Sequence, residues 1–467
     1  MSASEGSASA SGATAASTPP VVLRAVGGLA SLDPATRRAI TDRTLSAGDS
    51  LVRERTAAII ERVRRDGDAA LRAMAREFDG ATLESMEVPR ARWTAALDAL
   101  DPDLRAALER AARNITAVHR AFVPRAIEVS PEPGIVVGRR PDPLGRVGIY
   151  APGGRAAYPS SLLMGAVPAR VAGVGETIVC SPPGPSGLPS PVVLAAAALA
   201  DVDRVFAVGG AGAIAAMAFG TDTIPVVDRI VGPGNAYVAE AKLQVVSRVA
   251  IDAPAGPSEL LVLADDGADV DVIARELVAQ AEHDPDAAVV AIVAGPDAER
   301  VSAALLAMLA AQVAVTPRAD IVRHALEARG AILTTSSLDL AITFANEWAA
   351  EHLLLLAGDA NQAGALAALR NAGTVFVGAS SSVAFGDYMT GANHVLPTAG
   401  AARSYSGLST LDFVRWTSWQ QVSPDAAARL AGDVGRFADA EGLPGHAAAA
   451  RAWSSAIAPS TAHPASR

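Results

Sequence analysis

The sequence predicts an α/β fold of two Rossmann-like parallel-sheet domains, with a helical N-terminal segment and a small, mainly helical C-terminal segment. Two observations carry this. Between Arg146 and Leu263 the β-rich runs VGIY, TIVC, RVFAV and ELLVL alternate with helix-length Ala-rich runs, the pattern of βαβ units around a parallel sheet. A second alternation follows: DVDVIARELVAQAEHD reads as a helix, AAVVAIVAG as a strand, AERVSAALLAMLAAQ as a helix and AGTVFVGA as a last strand. A chain of 467 residues is long enough to bury two sizeable cores.

In chain order, MSASEGSASASGATAASTPP lacks both the basic start and the apolar core of a secretory signal, so residues 1–20 are expected to be a disordered tail. From Leu51 to Phe78 and from Leu104 to Phe122 the apolar residues recur at helical spacing; the second stripe reads Leu104, Leu108, Ala111, Ile115, Val118, Phe122. Asp101 and Pro102 supply its cap and first-turn proline. The Pro-rich stretch near PDPLG closes this helical quarter, and a long Gly-rich loop follows the last strand before helices resume near Pro424. The expected division is 21–145 plus 259–405 as a first α/β domain, 146–258 as a second, 406–456 as a C-terminal segment, and 457–467 as a loose tail.

Composition narrows the function classes. A net charge of −10 with a pI near 5.3 offers no overall basic surface, so neither nucleic acid nor an anionic membrane is expected as a partner. The Ala-rich runs are broken by Gly, Pro or charge, and none is expected to span a bilayer. A single cysteine, Cys180, excludes an intramolecular disulfide and leaves the cytoplasm as the expected compartment.

Several motifs could carry chemistry, and each has a plainer reading. VGPGN, ending at Asn235, precedes a helix and could gather backbone N–H groups around an anion, although spacing alone favours a tight turn. Gly210, Gly212 and Ala215 imitate a dinucleotide fingerprint that Ala-Gly-rich sequence produces easily. Gln280 and His283 share a helix face as metal-bridging pairs do, yet a helix-end histidine is the plainer reading and glutamine is not a usual zinc ligand. Glu351 beside His352 could divide general acid/base work or could be a solvated strand start. The loop GDYMTGANHVLPTAGAARSYSGLS carries Asp387 and His394 directly after a strand, where α/β proteins place their sites. Glu441 and His446 lie in EGLPGH, which otherwise reads as a turn. Cys180 in TIVC is expected to be inert core, and Lys242, the sole lysine, to sit on an exposed helix with no Schiff-base role.

In identity and order, VGPGNAYV, AQAEHD, AAEHL, GDYMTGANHVLPT and EGLPGH resemble the histidinol dehydrogenase family from about residue 21 to residue 455. The resemblance implies oxidation of L-histidinol through L-histidinal to L-histidine with two NAD molecules at one site. It implies zinc held by Gln280, His283, Asp387 and His446, with Glu351 and His352 as the catalytic pair. Substrate contacts would fall on Ser258, His394 and Glu441, besides His352 and the metal ligands, and NAD contacts on Tyr150 and Asn235. It also implies a homodimer in which the C-terminal segment donates Glu441 and His446 to the neighbouring site. Two positions depart from the family pattern: Gly212, where a glutamine usually contacts NAD, and Ala350, where a proline usually precedes Glu-His.

Overall fold

Residues 21–43, 50–153 and 157–455 are described by a computed structural model. The expected tails, 1–20 and 457–467, lie outside the described residues. The chain forms two compact units. One gathers the chain up to Arg62, Pro233–Val246 and Ala253–Gly407; the other gathers Val63–Gly232, Ser247–Asp252 and the chain from Leu408 onward.

The first unit is built on a six-stranded parallel sheet in the order Ala25–Gly28, Gly330–Thr335, Ala288–Ala294, Glu259–Asp265, Ala350–Leu356, Ala372–Val377. Its central strands are continuously apolar because both faces are covered. Along Glu259–Asp265, Leu260 and Val262 enter one core with Ile273, Leu305 and Leu326, while Leu261 and Leu263 enter another with Phe344 and Trp348. The helix Ala298–Val315 is long and apolar enough to cross a membrane by length and composition, contrary to the expectation that no segment would be. Its Val301, Leu305, Leu309 and Val313 recur every fourth residue and are buried, which is the stripe of a core helix.

The second unit holds a five-stranded parallel sheet in the order Arg204–Ala207, Glu176–Ser181, Arg146–Tyr150, Arg229–Val231, Ala250–Ile251. It also holds an antiparallel sheet in which Ile135–Pro143 pairs with Ile127–Val129 and with Val414–Val422. Asp101 caps the helix Pro102–Ala121 as expected, accepting from the N–H groups of Asp103 and Leu104. The buried stripe of that helix is Leu108, Ala111, Ile115 and His119, with Leu104 and Phe122 exposed.

These units cut the chain differently from the expected boundaries. Residues 63–145 pack with the five-stranded sheet because the N–H of Val88 bonds to Val205, Arg90–Asp98 lies on Pro191–Leu199, and Pro102–Ala121 lies on Pro159–Ala172. The C-terminal helices Pro424–Ala440 and Pro444–Arg451 follow the strand that pairs with Ile135–Pro143.

Candidate active site

The strand Ala350–Leu356 opens with the Glu351–His352 pair, next to the strand that opens with Glu259. Just before it, the helix Leu338–Trp348 ends on Ala349 in the left-handed conformation, φ 53° and ψ 67°. Both Glu351 and His352 are buried, at 5% and 3% exposure, so the plain reading of a solvated strand start does not hold. Nδ1 of His352 lies 3.0 Å from the carbonyl oxygen of Glu259. A carbonyl only accepts, so Nδ1 carries the proton, and in the neutral ring Nε2 is the basic nitrogen. The N–H of Glu259 donates to Oε2 of Glu351 at 2.7 Å, so one residue's main chain holds both members of the pair.

Asp387, at the end of the short helix Val383–Tyr388, places Oδ1 3.5 Å from Nε2 of His352. Nδ1 of His394 lies 2.9 Å from the carbonyl oxygen of Asp387 and must donate to it, leaving its own Nε2 basic. Burial opposes charge throughout this cluster. It would depress His352, yet the Glu351 and Asp387 carboxylates outweigh it and push the imidazole up to about 10. It would raise Asp387, yet His352, His394 and His283 hold that carboxyl below its ordinary value. Burial wins at His394, whose imidazole is depressed.

Behind the pair sits a residue set that the sequence did not single out. Arg43 donates from Nε to Oε1 of Glu259 at 2.8 Å, from Nη2 to the carbonyl of Trp348, and stacks 3.5 Å from the centroid of the Trp348 ring. Both side chains are 3% exposed. Removing one partner of such a buried pair typically costs about 3–5 kcal/mol, because the other charge is stranded. A charged residue opening the otherwise apolar run ELLVL was the available signal for Glu259; nothing in the sequence pairs it with Arg43.

Gln280, in the last turn of Val270–Ala281, is 2% exposed, and its Nε2 is buried without a hydrogen-bond partner. His283 lies just past the helix, exposed, with its N–H bonded to the Gln280 carbonyl. Among the described residues no three His, Cys, Asp or Glu side chains gather as a metal cage. The expected set contributes only His283 and Asp387 of those types from this unit, with the amide of Gln280 as a third donor. The amide oxygen of Gln280, an imidazole and a carboxylate held ionised are a donor set that fits a divalent cation with mixed N and O ligation. Ser258 is half-buried and immediately precedes Glu259.

Asn235, also in this unit, caps the helix Ala236–Val245 by accepting from the N–H groups of Tyr237 and Val238. Lys242 on that helix is 4% exposed, which corrects the expectation of an exposed position: Val238, Ala241 and Val245 put the same face into the interior.

In the other unit, Tyr150 is buried and its hydroxyl accepts from the N–H of Gly210 at 3.0 Å. Burial, partly countered by that bond, pushes the phenol up to about 12. Gly232, φ 116°, must be glycine because a Cβ there would collide with the carbonyl oxygen of Tyr150, and its N–H is taken by Asp252 at 2.8 Å. That bond supports the tight-turn reading of VGPGN. Gly212 is buried in the helix Gly210–Phe219, where a Cβ would meet Sδ of Met74 at 3.1 Å; it offers a ligand only backbone. Cys180 is fully buried in a strand, which pushes its thiol up to about 12, as an inert core cysteine requires. Glu441 and His446 are exposed, Glu441 at the end of Pro424–Ala440 and His446 on Pro444–Arg451.

Comparison with known proteins settles the family. The histidinol dehydrogenase family model matches residues 43–453. This chain belongs to the histidinol dehydrogenase family. It is 44% identical over 414 residues to a histidinol dehydrogenase of Methanosarcina mazei, covering 88% of this chain and 94% of that one. With its counterpart from Halobacterium salinarum it shares 47% identity over 422 residues, 90% and 97% of the two chains. The crystal structure of histidinol dehydrogenase from Elizabethkingia anophelis superposes with a TM-score of 0.87 at 32% identity, covering 93% of this chain and 99% of that one. The chain is therefore an oxidoreductase with the histidinol dehydrogenase fold.

Proposed function

We propose that this chain is a zinc-dependent, NAD-linked enzyme that oxidises L-histidinol through L-histidinal to L-histidine in histidine biosynthesis, working as a cytoplasmic homodimer. The observation that carries the reading is the bond from Nδ1 of His352 to the Glu259 carbonyl, which leaves Nε2, 3.5 Å from Asp387 Oδ1, as the basic nitrogen of the neutral ring. His352 takes the hydroxyl proton at Nε2 as the alcohol carbon gives up its first hydride to NAD, forming the aldehyde. Glu351, with Oε2 engaged by the Glu259 N–H, uses its remaining carboxylate oxygen to draw a proton from water as that water adds to the aldehyde carbon. His352 returns its first proton to the aldehyde oxygen as the water adds, and then takes a hydroxyl proton of the hydrate as that carbon gives up the second hydride to a second NAD, leaving the carboxylic acid.

Gln280, His283 and Asp387, with His446 of a second copy, would hold the zinc. Once bound, zinc would orient the substrate's imidazole and amine and offset the charge of Asp387, which lowers the hold of His352 on its proton. Ser258, His394 and Glu441 of the second copy would contact substrate. Tyr150, Asn235 and the backbone at Gly212 would contact NAD. Chelation tests the metal reading: turnover should vanish and zinc should restore it, while His283→Ala should sharply lower bound metal. Full activity in a chelated, metal-free sample would end it.

A further inference from the structure

We infer that the buried Arg43–Glu259 pair is a positioning device for the reaction, setting the place and the tautomer of the Glu351–His352 pair without touching substrate. The inference rests on those two residues being the proton-transfer pair. Glu259 is fastened at its side chain and does its work with its main chain. Its carboxylate Oε1 accepts from Arg43 Nε and from the N–H of Ala399, both at 2.8 Å, while its N–H and C=O bond to Glu351 and His352. The N–H lies in the peptide before Glu259 and the C=O in the peptide after it, so a shift of the whole residue would disturb both catalytic bonds together.

Arg43 acts on the pair from a second side. It donates to the carbonyl of Trp348 and reaches that of Ala349 at 3.5 Å, while the indole of Trp348 donates to Ile40 at 3.0 Å. Ala349, in a left-handed conformation, lies two residues before Glu351. One guanidinium therefore grips the turn that leads into the pair and the strand that holds it. Among the described residues, Nη1 of Arg43 and Oε2 of Glu259 have no hydrogen-bond partner.

The test uses three variants of the full-length enzyme. Arg43→Met with Glu259→Gln removes both charges without stranding either, and Arg43→Lys is the mild change in case the double variant does not fold. Histidinol turnover, melting temperature and the downfield imidazole N–H proton resonance of His352, assigned by its loss in His352→Asn, are measured on each. The folded double variant should lose at least about tenfold in kcat with KM nearly unchanged, since a small misplacement of reacting groups is that costly. The His352 resonance should shift or broaden with it, and Arg43→Lys should show both effects to a lesser degree. Wild-type kcat and an unmoved resonance in a folded variant would overturn the proposal. Full turnover in His352→Asn would instead overturn the assignment of the pair, and the resonance in the Arg43 variants would still decide whether Arg43 and Glu259 hold that ring.

Discussion

The carbonyl oxygen of Glu259 lies 3.0 Å from Nδ1 of His352, and the N–H of Glu259 meets Glu351 at 2.7 Å. Because the strands Glu259–Asp265 and Ala350–Leu356 are paired in parallel, this geometry is a consequence of sheet register at the strand ends. The pair is thus held at the ends of two neighbouring strands inside the six-stranded sheet, the kind of support that acid/base groups need.

Division of labour in the pair has kinetic consequences. Glu351→Gln should impair oxidation of histidinal more than that of histidinol, because only the aldehyde must be hydrated. His352→Asn should impair both, each by about 10²–10⁴-fold. Turnover of the two substrates by each variant checks this; equal, small losses in both would place the chemistry elsewhere.

Buried His119 predicts an acid-sensitive fold. Burial lowers its imidazole to about 4, and among the described residues neither ring nitrogen has a hydrogen-bond partner. Between pH 6.5 and about 4 the unfolded chain binds a proton there that the folded chain does not, so stability falls as pH falls through that window. The slope is about 1.4 kcal/mol per pH unit at most. His119→Phe should flatten this part of the stability profile in urea titrations; an unchanged profile would mean the ring is charged in the fold.

A site completed by a second copy can be rebuilt from two dead parents. His352→Asn and His446→Ala homodimers should each be nearly inactive. Refolded together, half the dimers are mixed, and each mixed dimer carries one intact site, so activity should recover to about a quarter of wild type. Recovery no greater than the sum of the parents, with mixed dimers present, would place the whole site within one chain.

Much of this was legible from local pattern. The apolar strands, the Asp101–Pro102 cap and the helices of the six-stranded unit follow from periodicity. The strand Val414–Val422 was not, because WTSWQQ shows no clean alternation when both its faces are partly exposed. The unit boundary at Val63 falls within Ser50–Phe78, close to the break that Gly67 makes in it at φ 51° and ψ −130°, and the apolar periodicity runs across both without a change. The structure brings the motif residues Glu351, His352, Asp387 and His394 together, but the bonds of the pair to Glu259 span 92 and 93 residues and that of Glu259 to Arg43 spans 216, separations for which one sequence has no signal.

The central claim is that a single site oxidises an alcohol to an acid, and the stoichiometry of NADH measures this directly. With zinc present and L-histidinol limiting, absorbance should report two NADH per histidinol consumed, with L-histidine as the product and no free aldehyde accumulating. One NADH per histidinol, with histidinal released, would contradict the account.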